Sequence, residues 1–291
     1  MSPADRLRGL LSKPGFLPMP CCYDALTSRM IHEAGFPLTL MSGFAVSAAR
    51  LAQPDTGLIS FAEMLDQLRN ICAAAPQLCV IGDGDTGYGN AINVRRTVRE
   101  YAHAGAAAIM IEDQVSPKRC GHTRGKQVVT RGEAKMRIRA AVDERKEHDI
   151  LIMARTDALA VEGLELALER AEKYLACGVD ALFIEAIRTT EQMAQACSRF
   201  AARVPMLANM VEGGKTPIMS AQELGQQGFR IVIFPGGTTR AVAHNLQGYF
   251  KSLKEHQSTR PWKDRMLDFE QLNSVLGTPD LIESGRRYEF D

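Results

Sequence analysis

The chain has 291 residues, of which 45% are hydrophobic and 24% are charged. This length and composition are ordinary for a globular protein with a large core, built as one large α/β domain or as two smaller ones. The formal net charge of +1 gives no electrostatic basis for binding nucleic acid or an anionic membrane surface.

The cysteines and the N-terminal residues indicate a reducing compartment. The seven cysteines are an odd number, scattered through apolar segments without the spacing of a zinc site or a disulfide framework. Asp5, Arg6 and Arg8 interrupt the N-terminal segment, which therefore lacks the apolar core of a signal peptide. No uninterrupted apolar run is long enough to cross a bilayer. We therefore expect a soluble, cytoplasmic protein.

One unit recurs along the chain: a helical segment ends at a glycine, and a short apolar strand follows a few residues later. The glycines Gly35, Gly105, Gly178 and Gly228 are expected to be left-handed helix caps. The apolar runs predict eight strands, at residues 16–19, 38–41, 79–81, 108–111, 151–154, 181–184, 205–208 and 231–234. Amphipathic periodicity predicts helices between them, including residues 61–74, 94–104, 131–145, 164–176 and 190–200.

The alternation of strands and helices predicts the fold class. Short connections between β and α units imply a parallel sheet, and eight units in one domain imply a closed TIM-type (β/α)8 barrel. A doubly wound open sheet is the alternative. Against it, no Gly-x-Gly-x-x-Gly sequence follows the first predicted strand.

Polar residues stand where six successive predicted strands end. Active sites of such barrels lie at the carboxyl ends of the strands, so these side chains are expected to converge there. A strand that reaches the surface can also end in a polar residue for that reason alone, but six in a row favour a site. In chain order the residues are Ser42-Gly43, Asp83 with Asp85, Glu112-Asp113, Arg155-Thr156-Asp157, Glu185 and Asn209.

Asp83 and Asp85 follow the third strand in the segment Ile-Gly-Asp-Gly-Asp-Thr-Gly-Tyr-Gly-Asn, residues 81–90. Acids two residues apart on an extended backbone point the same way, and two adjacent like charges need a cation to neutralise them. A hard divalent ion such as Mg²⁺ accepts oxygen ligands of this kind. The alternative interpretation is an ordinary turn, because Asp and Gly also cluster in loops for backbone reasons.

The connection after the fourth strand, residues 113–130, is much longer than is usual in α/β units, and such long loops are often lids. In its middle, Cys120 is flanked by Lys118, Arg119 and His122. Cationic neighbours lower the pKa of a thiol, so we expect Cys120 to have a depressed pKa and to act in proton transfer or attack. The other six cysteines are expected to be small buried hydrophobic residues.

Three of these segments together resemble the isocitrate lyase/phosphoenolpyruvate mutase superfamily: residues 83–90, Glu112-Asp113-Gln114 and Lys118-Arg119-Cys120-Gly121-His122. The resemblance covers nearly the whole chain from about Tyr23. It implies a (β/α)8 barrel over residues 1–258 with a catalytic lid at 113–130. It also implies a C-terminal helical segment, 259–291, that packs on or is swapped with a neighbouring subunit of a homodimer or homotetramer.

The same resemblance implies roles for individual residues. Asp85 would coordinate Mg²⁺, or Mn²⁺ in its place, and Asp55, Asp83 and Glu112 would hold the water molecules of that ion. Residues implied to act in catalysis are Cys120, His122, Arg155 and Lys118. Residues implied to bind the substrate are Tyr23, Ser42, Gly43, Phe44, Arg155, Glu185 and Asn209.

The form of the lid motif implies the chemistry, because superfamily members that act on phosphonates lack the Lys-Arg-Cys-Gly-His sequence whereas carbon–carbon lyases carry it. The expected reaction cleaves a 2-hydroxy di- or tricarboxylate to an α-keto acid and a second acid, with Cys120 as general acid. Residues 155–164 resemble 2-methylisocitrate lyases. Residues 42–44, 122–126 and 209–217 resemble the 2,3-dimethylmalate lyase type, which we favour.

Other activities stay open at this point. Oxaloacetate hydrolysis or decarboxylation and a phosphoenolpyruvate or phosphonate mutase reaction are alternatives within the superfamily. A barrel that binds a metabolite without converting it is the alternative of another class. The sequence opposes it, because a barrel without catalysis has no need of Cys120 on a lid. The expected partner is a small carboxylate substrate.

Overall fold

The computed structural model of the protein describes residues 1–288. Eight parallel strands form a closed barrel in which each strand pairs with its neighbours in sequence, and the last strand pairs with the first. This closure confirms the predicted (β/α)8 barrel and excludes the open sheet. The strands are β1 (Leu17–Cys22), β2 (Leu38–Met41), β3 (Cys79–Asp83), β4 (Ala108–Glu112), β5 (Leu151–Thr156), β6 (Ala181–Ile184), β7 (Met206–Asn209) and β8 (Ile231–Phe234).

Helices alternate with the strands and continue beyond the last one. They are α1 (Pro3–Ser12), α2 (Ala25–Glu33), α3 (Gly43–Leu51), α4 (Phe61–Ala74), α5 (Ala91–His103), α6 (Arg131–Glu144), α7 (Leu159–Glu162), α8 (Leu164–Leu175), α9 (Thr190–Phe200), α10 (Ala221–Gln227), α11 (Gly237–His256), α12 (Phe269–Leu276) and α13 (Thr278–Gly285). Short 3₁₀ helices occupy Arg260–Arg265 and Arg286–Tyr288. None of the helices within residues 1–288 is long and apolar enough to span a membrane.

The helices end as the glycine pattern predicts. Gly35, Gly105, Gly178 and Gly228 have φ angles of 85°, 95°, 91° and 112°, which lie in the left-handed region that favours glycine. The starts are fixed by side-chain caps, as at Ser60, whose hydroxyl accepts a hydrogen bond from Glu63 N at the start of α4. The glycine caps therefore end these four helices at defined residues, and the side-chain caps define where helices begin.

Alternation along the strands separates two hydrophobic clusters. Residues that point outward, such as Val80, Ile109 and Ile152, pack against the surrounding helices. Residues that point inward, such as Ile81 and Met110, fill the barrel. Because side chains alternate with a period of two, every second residue after an inward apolar one also points inward. This geometry directs Asp83, Glu112, Arg155, Glu185 and Asn209 to the same end of the barrel interior.

Helix α1 closes the opposite end of the barrel. Its buried side chains Ala4 and Leu7 belong to the cluster that fills the interior. Arg230 fixes the chain that follows the helix by donating hydrogen bonds to the carbonyl oxygens of Leu11 and Gly15. Helix α1 therefore covers the end of the barrel opposite the polar residues.

The contacts divide the chain into two compact units, Met1–Thr238 and a second one that begins at Thr239. The first compact unit thus ends within α11, and the domain boundary expected after residue 258 stays a prediction. In the second unit, Phe269 is 85% and Leu281 is 73% exposed. The packing of a C-terminal segment on a neighbouring subunit stays a prediction, and exposed apolar side chains of this kind are what such packing would cover.

We predict that Leu7→Ala lowers the free energy of unfolding by about 2–5 kcal/mol, because it leaves a cavity in a closely packed interior. Leu10→Ala is the matched control, since Leu10 lies on the same helix and is only partly buried. Its effect should be clearly smaller. Urea unfolding of the two variants measures the difference, and equal destabilisation would show that α1 does not plug the barrel.

Candidate active site

The loop after β3 holds two carboxylates in a strained turn. Asp83 ends the strand, and its main-chain oxygen accepts a hydrogen bond of 2.9 Å from the Tyr101 hydroxyl. Asp85 has a φ of 46°, a left-handed conformation that costs energy for a residue with a side chain. Its amide donates to Asp83 Oδ1 at 3.2 Å, and its main-chain oxygen accepts from Glu112 N at 2.9 Å. The strained backbone conformation of Asp85 therefore lies at the point where three carboxylates come together.

Gly43 supports this cluster from the start of α3. Its amide donates to Asp83 Oδ2 at 3.1 Å, and a Cβ atom at this position would lie 2.8 Å from the same oxygen. The hydroxyl of Ser42 caps α3 by accepting from Ala45 N at 3.4 Å. In this structure, then, the Gly43 amide orients a carboxylate of the protein, and the Ser42 hydroxyl stabilises a helix start.

The long connection after β4 is an ordered loop with a closed base. Gln114 and Val128 form an antiparallel bridge, and Val129 N donates to the main-chain oxygen of Asp113 at 2.9 Å. Within the loop, the Gln114 side chain donates to Arg119 O at 2.9 Å and accepts from Arg119 N at 3.0 Å. We refer to residues 113–130 as the lid.

The first half of the lid contacts the acidic cluster. Lys118 Nζ lies 2.6 Å from Asp55 Oδ1 and 2.9 Å from Asp85 Oδ1, and all three side chains are buried. The distances are those of ion pairs, although neither oxygen accepts a well-directed hydrogen bond within residues 1–288. Cys120 N donates to the main-chain oxygen of Asp55 at 3.0 Å. The lid therefore lies closed over the carboxyl end of the barrel.

The centre of the lid contacts Glu185. A Cβ atom at Gly121 would lie 2.5 Å from Glu185 Oε2, so only glycine fits there. His122 Nε2 is 3.4 Å from Glu185 Oε1, while its Nδ1 accepts a hydrogen bond of 3.2 Å from Lys215 N. That acceptor role places the proton of the neutral ring on Nε2, which faces Glu185. Asn209 Nδ2 donates to Glu185 Oε2 at 3.2 Å.

Arg155 is the central cation of the site. Its Nε and Nη2 donate to the two oxygens of Asp157 at 2.9 and 3.1 Å. Its Nη1 lies 3.2 Å from Glu112 Oε2, because the register of β4 and β5 puts these two residues side by side. Its Nη2 lies 3.4 Å from Glu185 Oε2, and the guanidinium stacks over the Phe183 ring at 5.3 Å. Arg155 thus links three carboxylates from three strand ends.

Burial and neighbouring charges move the pKa values of these groups in different directions. Burial raises the pKa of Asp85 to about 6, with Asp83 and Asp55 adding to the rise and Lys118 opposing it. Burial also raises the pKa of Glu112 well above its ordinary value, against the opposing charge of Arg155. For Glu185 burial acts in the same sense, but Arg155 and His122 outweigh it and lower its pKa to about 2.

The expectation of a depressed pKa for Cys120 is wrong. Burial raises its pKa, a hydrogen bond with the His122 backbone lowers it, and the charges of Asp55 and Glu185 raise it further. The flanking cations do not act on the thiol as the sequence implied, because Lys118 turns to Asp55 and Asp85. Burial therefore favours the protonated form of the Cys120 thiol.

The donors present fit a hard divalent cation. Both carboxylate oxygens of Glu112 are buried and accept no hydrogen bond from residues 1–288. Negative charge exceeds positive charge by three when all groups are ionised. The six carboxylates are Asp55, Asp83, Asp85, Glu112, Asp157 and Glu185, and the three cations are Lys118, Lys126 and Arg155.

These carboxylates are not the compact ligand group of the structure. In the described part of the chain, the compact group with ligand atoms all within 4.8 Å is a different one, formed by Glu144, Glu147 and His148. Glu144 is already paired there with Arg95, Arg99 and His148. Mg²⁺ retains several waters and takes few direct protein ligands.

Sequence analysis did not predict the hydrogen bonds that connect Asp113, Thr156 and Asp157, or the contacts of Tyr174 and Lys126 with them. Asp113 Oδ2 accepts from the Thr156 hydroxyl at 2.7 Å and the Tyr174 hydroxyl at 2.8 Å, and Asp113 Oδ1 accepts from Asp157 N at 2.8 Å. Lys126 Nζ donates to Asp157 Oδ1 at 2.6 Å. Asp113 and Asp157 do stand at strand ends in the sequence, but nothing in their spacing identifies their partners. Tyr23 follows β1 and Phe44 lies in the first turn of α3; their substrate contacts stay predictions.

This site lies on a fold shared with known proteins. Residues 7–254 match the phosphoenolpyruvate phosphomutase family, and the chain belongs to the phosphoenolpyruvate mutase/isocitrate lyase superfamily. It is 40% identical over 290 residues to 2,3-dimethylmalate lyase of Eubacterium barkeri, covering 99% of both chains. It is also 40% identical over 288 residues to 2-methylisocitrate lyase of Bacillus subtilis, covering 99% of this chain and 91% of the relative.

Two solved structures with bound small molecules are similar to this fold. Oxaloacetate acetylhydrolase in complex with the inhibitor 3,3-difluorooxalacetate superposes with a TM-score of 0.93 at 35% identity, over 99% of this chain and 97% of that one. Phosphonopyruvate hydrolase in complex with oxalate and Mg²⁺ gives a TM-score of 0.87 at 26% identity, over 99% of both chains.

We predict that Gly121→Ala prevents the lid from closing. The new methyl group would collide with Glu185, and with Arg155 Nη2 at 2.7 Å, and both side chains are held by ion pairs. Trypsin should therefore cut the lid at Lys118 to Lys126 several-fold faster than in the wild-type protein. Gly132→Ala is the control, because its Cβ would have no neighbour closer than 4.0 Å. Equal cleavage rates in the two variants would contradict the closed position of the lid.

Proposed function

We propose that this protein is a carbon–carbon lyase that cleaves a 2-hydroxy dicarboxylate to an α-keto acid such as pyruvate and a second carboxylic acid. The observation that carries the proposal is the placement of a thiol, Cys120, on a lid that closes over Arg155 and a buried acidic cluster. Similarity to 2,3-dimethylmalate lyase and 2-methylisocitrate lyase supports the same reaction class.

The acidic cluster would hold Mg²⁺, or Mn²⁺ in its place, with Asp85 as a direct ligand. Asp55, Asp83 and Glu112 would bind its water molecules, and the excess of buried negative charge supports this arrangement. When bound, the ion would polarise the hydroxyl and carboxylate of the substrate and lower the pKa of that hydroxyl. The Mg²⁺ of the phosphonopyruvate hydrolase complex provides a precedent within the superfamily.

The side chains of this protein would orient the substrate and stabilise charge. A carboxylate of the site would accept the proton of the C2 hydroxyl. Cleavage between C2 and C3 would then convert the hydroxyl carbon to a carbonyl and leave an electron pair on C3, spread over the adjacent carboxylate as an enediolate. Arg155 and His122 would stabilise that charge, because preorganised donors act strongly in a buried site. Glu185 and Asn209, which are hydrogen-bonded to each other, would orient the substrate oxygens together with Tyr23 and the Ser42-Gly43 segment.

Cys120 would donate the proton that completes the reaction. Its amide is bound to the main-chain oxygen of Asp55, and burial raises the pKa of its thiol, which favours the protonated form that a general acid requires. Its proton would pass to C3 of the enediolate and form the second carboxylic acid. Lys118, bound to Asp55 and Asp85, would hold the lid in place during this step.

A second candidate is the hydrolysis of oxaloacetate. It is favoured by the superposition on oxaloacetate acetylhydrolase bound to 3,3-difluorooxalacetate, a substrate analogue with two carboxylates. The two activities differ in whether C2 carries a hydroxyl group or becomes hydrated, and both need the same carboxylate-binding residues. A panel of 2-hydroxy diacids and oxaloacetate, assayed for α-keto acid, oxalate and acetate, separates them.

We predict that Asp85→Ala abolishes cleavage in this panel while the protein remains folded. The variant loses a direct ligand charge. Added Mg²⁺ should therefore restore activity in chelator-treated wild-type protein but not in this variant. Circular dichroism checks the fold, and isothermal titration measures Mg²⁺ affinity. Full turnover of the chelated Asp85→Ala protein would refute the metal site.

Cys120→Ser should lower kcat by about 10²–10⁴-fold, the usual contribution of a general acid. Serine keeps the shape but replaces the thiol with a hydroxyl group that is a much weaker acid. Mg²⁺ affinity and thermal stability should change little. Cys177→Ser is a control for a cysteine outside the site. A large drop in melting temperature with normal kinetics would instead make Cys120 a structural residue.

Phe44 is expected to favour alkylmalates over 2-methylisocitrate. Superfamily resemblance implies glycine here in methylisocitrate lyases, whereas a phenyl ring removes volume and gives an apolar wall that suits an alkyl branch. Such a pocket discriminates by only about 1–3 kcal/mol, so the preference should be graded. The ratio of kcat/KM for 2,3-dimethylmalate and 2-methylisocitrate should narrow or reverse in Phe44→Gly. An unchanged ratio in a protein that prefers methylisocitrate would reject this role.

A further inference from the structure

Lys126 is a lid residue whose ammonium group is buried. Its Nζ donates to Asp157 Oδ1 at 2.6 Å, and the two side chains are 2% and 0% exposed. The neighbouring lid residues Arg124, Gly125 and Gln127 are exposed, so Lys126 turns inward from a surface segment. Burying a lysine removes its hydration, a cost that is offset only by a well-placed counter-charge.

That counter-charge belongs to the residue that holds Arg155 most closely. Asp157 binds the guanidinium with both oxygens, at 2.9 and 3.1 Å, whereas Glu112 and Glu185 lie at 3.2 and 3.4 Å. A two-point contact of a planar guanidinium with a carboxylate fixes its orientation as well as its position. Asp157 therefore sets the direction in which Arg155 presents its remaining donor groups.

One oxygen of Asp157 connects the lid to Arg155. Asp157 Oδ1 accepts from both Lys126 Nζ and Arg155 Nη2, while the Asp157 backbone is fixed by its amide, which donates to Asp113 Oδ1. If the lid lifted, Lys126 would leave with it, and Oδ1 would interact with Arg155 alone. The relative strength of the attraction of Arg155 to Asp157, Glu112 and Glu185 would then change.

We propose that Lys126 is a positioning residue that couples closure of the lid to the orientation of Arg155. This role rests on the proposed lyase function, in which Arg155 stabilises the enediolate. The other lid cations do not offer it: Lys118 pairs with Asp55 and Asp85, and Arg119 is exposed and donates to Arg124 O. Arg155 is therefore correctly oriented toward the substrate only when the lid is closed.

The kinetic test compares Lys126→Met with Arg124→Met, which removes the same charge from an exposed position in the same lid. Lys126→Met should lower kcat by roughly 10²-fold, the effect of misplacing a catalytic group by about an ångström, with a much smaller change in KM. Lys126→Arg, which keeps the cation, should recover most of the loss. Arg124→Met should behave as the wild type. Equal rate constants for Lys126→Met and Arg124→Met would overturn the proposal.

A double variant tests whether Lys126 acts through Asp157. If it does, adding Lys126→Met to Asp157→Asn should cause little further loss of kcat, because the link is already broken. Losses that multiply would overturn the link. Lys126→Gln is the second neutral variant should Lys126→Met be poorly folded by circular dichroism.

Hydrogen–deuterium exchange of the lid gives a readout that needs no turnover. Mg²⁺ with oxalate should slow exchange of residues 113–130 in the wild type and in Arg124→Met, but not in Lys126→Met. Equal slowing in all three proteins would show that Lys126 does not hold the lid closed. If the wild type cleaves no diacid, the proposed function fails, and this measurement alone decides the role of Lys126 in closure.

Discussion

Several carboxylates are buried at one end of the barrel, and their negative charge must be compensated by cations. The other residues of the site are arranged to supply that positive charge. Parallel strands with a period of two direct Asp83, Glu112 and Glu185 to the same end, where burial raises the free energy of every uncompensated charge. Arg155 supplies one cation from within the barrel. The lid brings two more, Lys118 and Lys126, so closure of the lid offsets part of the negative charge of the site.

Much of the fold follows from the sequence because its determinants are local. The strands at 38–41, 181–184 and 231–234 and the helices at 61–74 and 190–200 have the bounds that the apolar pattern predicts. Convergence of the strand-end residues also follows, since a closed parallel barrel leaves them no other place. Ion pairs are different, because they depend on where a loop folds. The prediction from the sequence was therefore wrong about the direction of the pKa shift of Cys120. Nothing in the sequence indicated that Lys126 reaches Asp157.

Members of the superfamily with different reactions share this architecture, so the architecture alone does not specify one reaction. Phosphonopyruvate hydrolase and oxaloacetate acetylhydrolase superpose on this chain with TM-scores of 0.87 and 0.93. In the proposed function, the barrel and its carboxylates would bring a small acid and a cation together. We expect differences in chemistry to arise from the lid and from residues at the rim, such as Cys120 and Phe44, whose backbone positions the barrel fixes without dictating their side chains.

The polar character of the lid contacts has a thermodynamic consequence. Lys118, His122 and Lys126 meet carboxylates, and Gly121 brings no side chain at all. Heat-capacity changes on binding follow mainly the apolar surface that is removed from water. Closure of this lid should therefore contribute little to them. A strongly negative heat-capacity change on binding of a diacid would report the ligand's own apolar groups against residues such as Phe44, and so would rank ligands by their alkyl branches.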